Sequence, residues 1–599
     1  MCLEDLLLYG MNMFAAHARP SYPGAPRSSA LLKWTLKDDN PDCTGTSRLY
    51  FSLTFLESLV PSGTVNGCSS TPGEVEVFSD WTDSMDQLVG LVAAAIICGI
   101  VYSILLEWWL KVWLPSKRLP PGPKPWPLVG SLFQVRSMLH VANFLKATQK
   151  LESKYGKTLT FWIGQRPVIV INDPQLAHEA LIKQGASFCS RCMFSSVGAL
   201  TRGFCTVNSS PQGPFLSSIR RNMITSVFTP KALNKWEVQR EAAIEDVIVQ
   251  IRQSITENGG WARVNITTVI RPAFYKYALY LCFGMYVEEK VLMQIDEIVN
   301  ARARSVWSIY VGDYIPAWKL VEWKHRRNVT RLQQEVEDIM LPLIRRIREL
   351  KGSDEIIPGT YAESLLNLQD TDPRLRDEGI TCLCSEMLTA SSLSVTSAVR
   401  SGMSVLSENQ EVREKLLDEI DRVVGNKPVE ESHLTQMPYL AAFEKEILRM
   451  YPPAITPPPY AVVEACKLGN YDIPKNAVIY FHIHAYHQDP TAWPDPTEFR
   501  PERFLEEEVD MSCKKEVKLM PFGAGRRICP GMNLGLMEVS ILIARLLQNF
   551  EWSQDDMTAP STDTNDSRPA ALSALAPSSE SLRRGIMIAR IRQARKQPS

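Results

Sequence analysis

The chain has 599 residues, with 65 Lys and Arg against 66 Asp and Glu, and 13 cysteines. So balanced a charge supplies no global field for nucleic acid, and Cys189 and Cys192 form the only CxxC, which excludes a paired-CxxC zinc framework. The length admits several average domains or one large core, and the thiols read as reduced, facing a cytosolic environment.

Residues 1–84 mix short apolar patches with Ser, Pro, Gly and Thr clusters, and Met1 to Asp86 carries eleven acids against five Lys or Arg. A transit peptide is basic and acid-poor, so this stretch reads as a weakly ordered leader, absent from the functional protein if that begins at Met85. Leu88 to Leu106 then runs nineteen residues without a charge, enough to cross most of a bilayer as a helix, with Trp108, Trp109 and Trp113 placed for the interface. Residues 85–114 therefore read as a single transmembrane signal anchor. Lys111, Lys117 and Arg118 follow the span and Asp80, Asp83 and Asp86 precede it, which places the C-terminal part in the cytosol and the leader in the lumen. Prolines at nearly alternate positions of Leu119-Pro-Pro-Gly-Pro-Lys-Pro-Trp-Pro make residues 115–130 a stiff extended hinge.

The globular part is expected over residues 131–552. Thr158 to Ile163 and Val168 to Ile171, separated by Gly164 to Pro167, predict a β-hairpin, and Asp173-Pro-Gln a helix start. Lys231 to Gln253, Lys290 to Ser305, Asn328 to Lys351, Asp377 to Ser407 and Glu411 to Val424 carry apolar residues at helical spacing. Strands return near Lys467 to Ile473 and Val478 to His484. His482 and His484 would share one strand face and, with no third ligand, read as ordinary strand residues rather than a metal site. The class is mainly α with a minor β region (α+β). Residues 553–599 form a low-complexity tail in which Ile586 to Ile591 can resume as a strand.

The chemistry concentrates in Pro521-Phe-Gly-Ala-Gly-Arg-Arg-Ile-Cys-Pro-Gly531. Gly523, Gly525 and Gly531 allow the backbone to bend around Cys529, and Met532 to Phe550 has helical spacing, so the cysteine stands at a helix start, where partial positive charge favours a thiolate. A dinucleotide loop is excluded, because Ile528 occupies the place of the third glycine. Phe522, Gly525, Arg527, Cys529 and Gly531 match the haem-binding signature FxxGxRxCxG position for position, and the sequence resembles the cytochrome P450 superfamily from about Leu88 to Trp552. FGAGRRICPG, RRNM and YDIP look most like plant A-type members, and somewhat like their fatty-acid in-chain hydroxylase and epoxygenase group.

The resemblance implies the cytochrome P450 fold behind a single N-terminal anchor, with haem b held by Cys529 as axial ligand to iron, Phe522 shielding the sulfur and Arg527 pairing with a propionate. Arg220 keeps the arginine of a Trp-x-x-x-Arg motif that reaches the propionates, while Leu216 replaces the tryptophan. Tyr460 stands where the family often has a propionate-binding arginine. By spacing alone Glu446 and Arg449 make an ordinary surface ion pair worth under roughly 1 kcal/mol; the resemblance makes them, with Arg503, a buried structural network. In the distal helix the family's small residues, acid and alcohol, which relay protons during oxygen activation, correspond to Ala390-Ser-Ser-Leu-Ser394. Ser394 keeps the hydroxyl, but Leu393 occupies the acid position and cannot serve as a general acid. Either another acid, water or a substrate hydroxyl then serves the relay, or the register, which Leu383-Cys-Ser-Glu386 sets, is off by one turn.

The implied activity is that of a monooxygenase inserting one atom of dioxygen into a lipophilic substrate, with fatty acids a candidate class. Electrons come from NADPH through the flavins of a reductase, and Lys514, Lys515 and Lys518, with Arg221 and Lys231, offer a basic patch for that partner. The expected location is the endoplasmic reticulum membrane, single-pass, with the catalytic domain cytosolic and membrane lipid in contact with the anchor. Two alternatives stand beside it: an isomerase or dehydratase of lipid hydroperoxides, which needs no proton relay, and a catalytically impaired membrane haem protein.

Overall fold

A computed structural model describes residues 89–106, 118–133, 148–554 and 586–592, apart from single positions and the stretches 307–309 and 353–356. The leader, the interfacial tryptophans and most of the tail lie outside the described residues. Those described between 89 and 106 are helical and exposed. Among the described residues no helix is long and apolar enough to cross a membrane.

Thr158–Ile163 (β1) and Arg166–Ile171 (β2) form an antiparallel hairpin whose register runs from Thr158↔Ile171 to Ile163↔Arg166. The remaining strands are Ser190–Arg191 (β3), Ala262–Asn265 (β4), Tyr460–Ala461 (β5), Cys466–Leu468 (β6), Tyr471–Ile473 (β7), Val478–Phe481 (β8), Phe550–Gln554 (β9) and Ile586–Ile591 (β10). They assemble as β1-β2-β8-β5-β3, as β4-β10-β9 and as the hairpin β6-β7. The strand expected to reach His484 stops at Phe481, where pairing reaches Ile171, the last residue of β2. His482 instead caps a short helix, Ile483–His487, so the two histidines share no strand face. Their rings stand 6.5 Å apart, and His482 Nδ1 meets Asn172 Oδ1 at 3.1 Å.

The main helices are α1 (Pro214–Val227), α2 (Glu237–Glu257), α3 (Ile266–Phe283), α4 (Glu289–Val306), α5 (Trp323–Glu349), α6 (Asp377–Glu408), α7 (Gln410–Val424), α8 (Pro438–Met450) and α9 (Met532–Asn549). Five of the amphipathic runs recognised in sequence, those of α4 to α7 and α9, end within a turn or so of these bounds. α2 starts later, because Thr229 caps a separate turn, Pro230–Lys235, ahead of it. α3 carries apolar or aromatic residues on most faces and is buried on most of them; a helix wrapped by neighbours shows no amphipathic period.

α6 runs through the helical part, packed against α3, α4, α5 and α9. Its length and nearly complete burial make it the element on which the others are aligned. Asp377 and Glu378 in its first turn complement the positive end of the helix dipole. The globular part extends past Trp552, since β9 continues to Gln554 and β10 lies between β9 and β4, with Met587 and Ala589 fully buried.

Candidate active site

The cysteine loop is built by backbone geometry. Gly525 has φ +66°, and a Cβ there would overlap the Leu181 carbonyl oxygen. The Cys529 N–H donates to the Phe522 carbonyl at 2.9 Å, closing the loop. Phe522 is half-buried, its ring edge towards Gly535 of α9. Cys529 lies two residues before Gly531, the N-cap of α9, and the Gly531 N–H lowers the thiol's pKa, as does Arg220. Burial acts first and more strongly and raises the thiol's pKa. The residue is nevertheless accessible to solvent. A sulfur that is both accessible and crowded enough to be desolvated lines an internal space rather than the outer surface.

Three arginines surround that loop. Arg527 is buried, and its Nε, Nη1 and Nη2 donate to the carbonyls of Cys189, Val207 and Ser210 at 2.8, 2.9 and 2.6 Å. These use three of five donors and leave two. Arg220, on α1, donates to the Ile528 carbonyl beside the cysteine, and Leu216 is buried on the same helix. Arg191, on β3, donates to the carbonyls of Asn208 and Pro458 and stacks its guanidinium 4.1 Å over the Tyr460 ring. Burial lowers the Arg220 pKa, and it lowers that of Arg527 to about 10, with Arg191 as the next cause. Among the described residues none of the three has a carboxylate partner. Buried guanidiniums gathered without counter-charge fit a ligand that brings its own anions, and the thiol fits a soft metal position. Together they fit haem, with Cys529 for the iron and Arg191, Arg220 and Arg527 for the propionates. Arg191 escaped the sequence reading, because a two-residue strand carries no periodic signal.

Glu446, on α8, is fully buried with Arg449, three residues on. Arg449 Nε donates to Glu446 Oε2 at 2.7 Å and Arg503 Nε to Oε1 at 3.1 Å. The exposed ion pair that spacing alone suggests is thus a closed internal triad. The basic patch is smaller than expected. Lys514 and Lys515 are exposed, but Lys518 is paired with Glu507 at 2.6 Å and lies 4.8 Å over the Trp493 ring.

On α6 Ala390 and Ser394 are exposed and Leu393 is half-buried, although Leu388, Ser392, Val395 and Thr396 around them are buried. This face opens onto a space within an otherwise enclosed helix. Ser394 Oγ donates to the Ala390 carbonyl at 2.7 Å. One turn before Ala390, Glu386 accepts the N–H groups of Val207 and Asn208, each at 2.8 Å. Val207 is therefore held at its N–H by the distal helix and at its carbonyl by Arg527.

A family model, described as cytochrome P450, matches residues 120–578. The chain is similar to cytochrome P450 89A9 of Arabidopsis thaliana, 28% identical over 476 residues, covering 76% of this chain and 92% of that relative. It is 31% identical to a probable (S)-N-methylcoclaurine 3'-hydroxylase isozyme 2 of Coptis japonica, over 73% of this chain and 87% of the relative. An isoflavone 3'-hydroxylase of Medicago truncatula is 28% identical over the same shares.

Proposed function

The chain belongs to the cytochrome P450 family, in its plant A-type branch, and on that premise we propose that this haem-dependent monooxygenase is anchored in the endoplasmic reticulum membrane by residues 88–106 and acts on fatty acids or similar lipids. The family implies haem iron and electrons from NADPH through a reductase. The proposed anchor rests on the uncharged nineteen-residue run and the charges flanking it. The named hydroxylase relatives carry substituted aromatic substrates in their names, so a substrate screen spans lipids and small aromatics.

Haem, when bound, supplies oxygen activation, and a thiolate ligand pushes electron density towards O–O cleavage. Cys529 provides that thiolate, and the Gly531 N–H and the start of α9 stabilise its negative charge. Arg191, Arg220 and Arg527 would hold the propionates by charge-assisted hydrogen bonds. The Ser394 hydroxyl, its proton turned to the Ala390 carbonyl, keeps lone pairs free to accept a proton from the cavity.

The observation that carries the reading is the accessible yet enclosed Cys529 beside three arginines that lack carboxylates. Reduced, carbon monoxide-bound protein should show the thiolate Soret band, and Cys529→Ala should lose it. Turnover of a lipid with NADPH and reductase should form oxygenated product in the parent only. A normal thiolate band in Cys529→Ala would overturn the ligand assignment.

A further inference from the structure

Between Gly379 and Leu406 six side chains of α6 stand out from their buried surroundings: Glu386, Thr389, Ser391 and Leu393 are half-buried, and Ala390 and Ser394 are exposed. At 3.6 residues per turn all of them but Ser391 fall on one face. Glu386 and Leu393 are seven residues apart, hence within about 20° of the same angular position, two turns from each other. A carboxyl therefore stands directly below the place where the leucine occurs.

Glu386 resembles Cys529 in its surroundings. It keeps accessible surface, yet protein encloses it closely enough that desolvation raises its carboxyl pKa against the opposing backbone hydrogen bonds. Both groups border internal space. Between Glu386 and Ser394 lies about 12 Å of helix axis, and that distance is lined by hydroxyls. Thr389 Oγ1 donates to the Ser385 carbonyl at 2.7 Å and Ser394 Oγ to that of Ala390 at 2.7 Å. Each bond draws its oxygen back along the helix towards Glu386 and leaves lone pairs for water. Ala390, between the two ends, presents only a methyl group and leaves room for water.

We propose that Glu386 is the proton source of the monooxygenase, in place of the acid that position 393 lacks, and that it acts through water over Ala390 on the hydroxyl of Ser394. The inference rests on the monooxygenase reading. In each cycle the carboxyl gives a proton to a water, that water gives one to Ser394 Oγ, and the hydroxyl's own proton passes into the cavity. Solvent reprotonates the carboxylate at its accessible edge, and no electron changes hands. The titratable or charged groups facing Glu386 are Arg302 from α4, which favours the carboxylate, and Tyr361, at the start of the helix Tyr361–Gln369. The Thr206 side chain and the Val207 and Asn208 N–H groups complete its surroundings.

The test uses the full-length haem protein with its reductase. Glu386→Gln should lower product formed per NADPH by about tenfold or more and release hydrogen peroxide instead, with loss of the parent's pH dependence of coupling. Because Gln also turns a donor towards the Val207 and Asn208 N–H groups, the decisive arm is Leu393→Asp in the Glu386→Gln background: it restores coupling if a proton source was lost, and a displaced loop would not be repaired by it. Carboxyl infrared bands followed through a pH titration should include one that titrates above the ordinary glutamate range, shifts in D2O and is missing from Glu386→Gln. Unchanged coupling in Glu386→Gln, failure of the rescue, or absence of the band would each overturn the proposal. If the parent forms no product, the monooxygenase reading falls, and the infrared band alone decides whether Glu386 holds a transferable proton.

Discussion

Replacing Glu446 by Gln keeps the shape of the side chain and removes its charge. Its Oε1 accepts Arg449 Nη2 at 2.8 Å, Arg503 Nε at 3.1 Å and the Arg500 N–H at 2.8 Å, and its Oε2 accepts Arg449 Nε at 2.7 Å. The Glu446 and Arg449 side chains are 0% exposed and that of Arg503 is 4% exposed, so no water can replace the carboxylate. Four hydrogen bonds to a charged group, at about 1.5–3 kcal/mol each, sum to more than the network can lose. Arg449 retains the carbonyls of His487, Pro496 and Glu498, and Arg503 those of Pro494 and Glu498. The governing figure is the loss on breaking a buried pair, about 3–5 kcal/mol, a large fraction of a typical folding free energy of about 5–15 kcal/mol. Urea unfolding of the haem-loaded protein, followed by far-ultraviolet circular dichroism, should show that loss for Glu446→Gln. Replacing Glu446, Arg449 and Arg503 together by apolar residues of similar volume should recover part of it. A change below about 1 kcal/mol for the single variant would refute the claim that the triad is closed to water.

Arg191→Gln removes a buried charge from the propionate side and should speed haem transfer to an acceptor apoprotein by roughly ten- to a hundredfold, the equivalent of one charge-assisted hydrogen bond; unchanged transfer would remove Arg191 from the haem site. Glu538 on α9 is buried with Oε1 unpartnered, and burial pushes its carboxyl up to about 8, opposed by Arg240. A folded-state pKa above the ordinary 4.5 means that the protonated form is the one held, so its stabilising contribution is full below about 4.5 and lost as pH rises through about 8. Glu538→Gln should therefore flatten the decline in urea midpoint across that window, and a parallel decline in both proteins would assign it elsewhere. Gly525→Ala, at φ +66° and against the Leu181 carbonyl, should lower stability by about 1–2 kcal/mol from the left-handed backbone alone, read as an earlier thermal transition of the haem-loaded protein.

The cysteine loop was readable because it is local: its glycines, its cysteine and the start of α9 lie within some ten residues, and each answers to a backbone requirement. Helices α4, α5 and α7 were readable because one face of each meets solvent. What sequence concealed was set by distant contacts. α3 has only a narrow exposed stripe, Thr268, Pro272 and Lys276, to betray it. The fate of Glu446 and Arg449 depends on carbonyls from residues 487–498, which no i,i+3 spacing contains. Arg191 acquires its role only where β3 meets β5 and the 208 carbonyl turns towards it. The end of β8 was misplaced because strand length follows the partner: β2 stops at Ile171, and the apolar alternation continuing to His484 has nothing left to pair with. Lys518 looked like a free cation in sequence, but Glu507, eleven residues earlier, neutralises it.

In the sheet β4-β10-β9 the middle strand is the one made last. β4 is synthesised more than three hundred residues before β10, and β9 about thirty before it, and neither bonds the other. Until the final segment arrives, each offers a row of unpaired N–H and C=O groups to any neighbouring chain. A nascent or truncated polypeptide ending within residues 555–585 would carry both open edges beside a completed cysteine loop. Such a chain could possess every residue for haem and still be lost to aggregation, so quality control of this enzyme falls on β10 rather than on its active site.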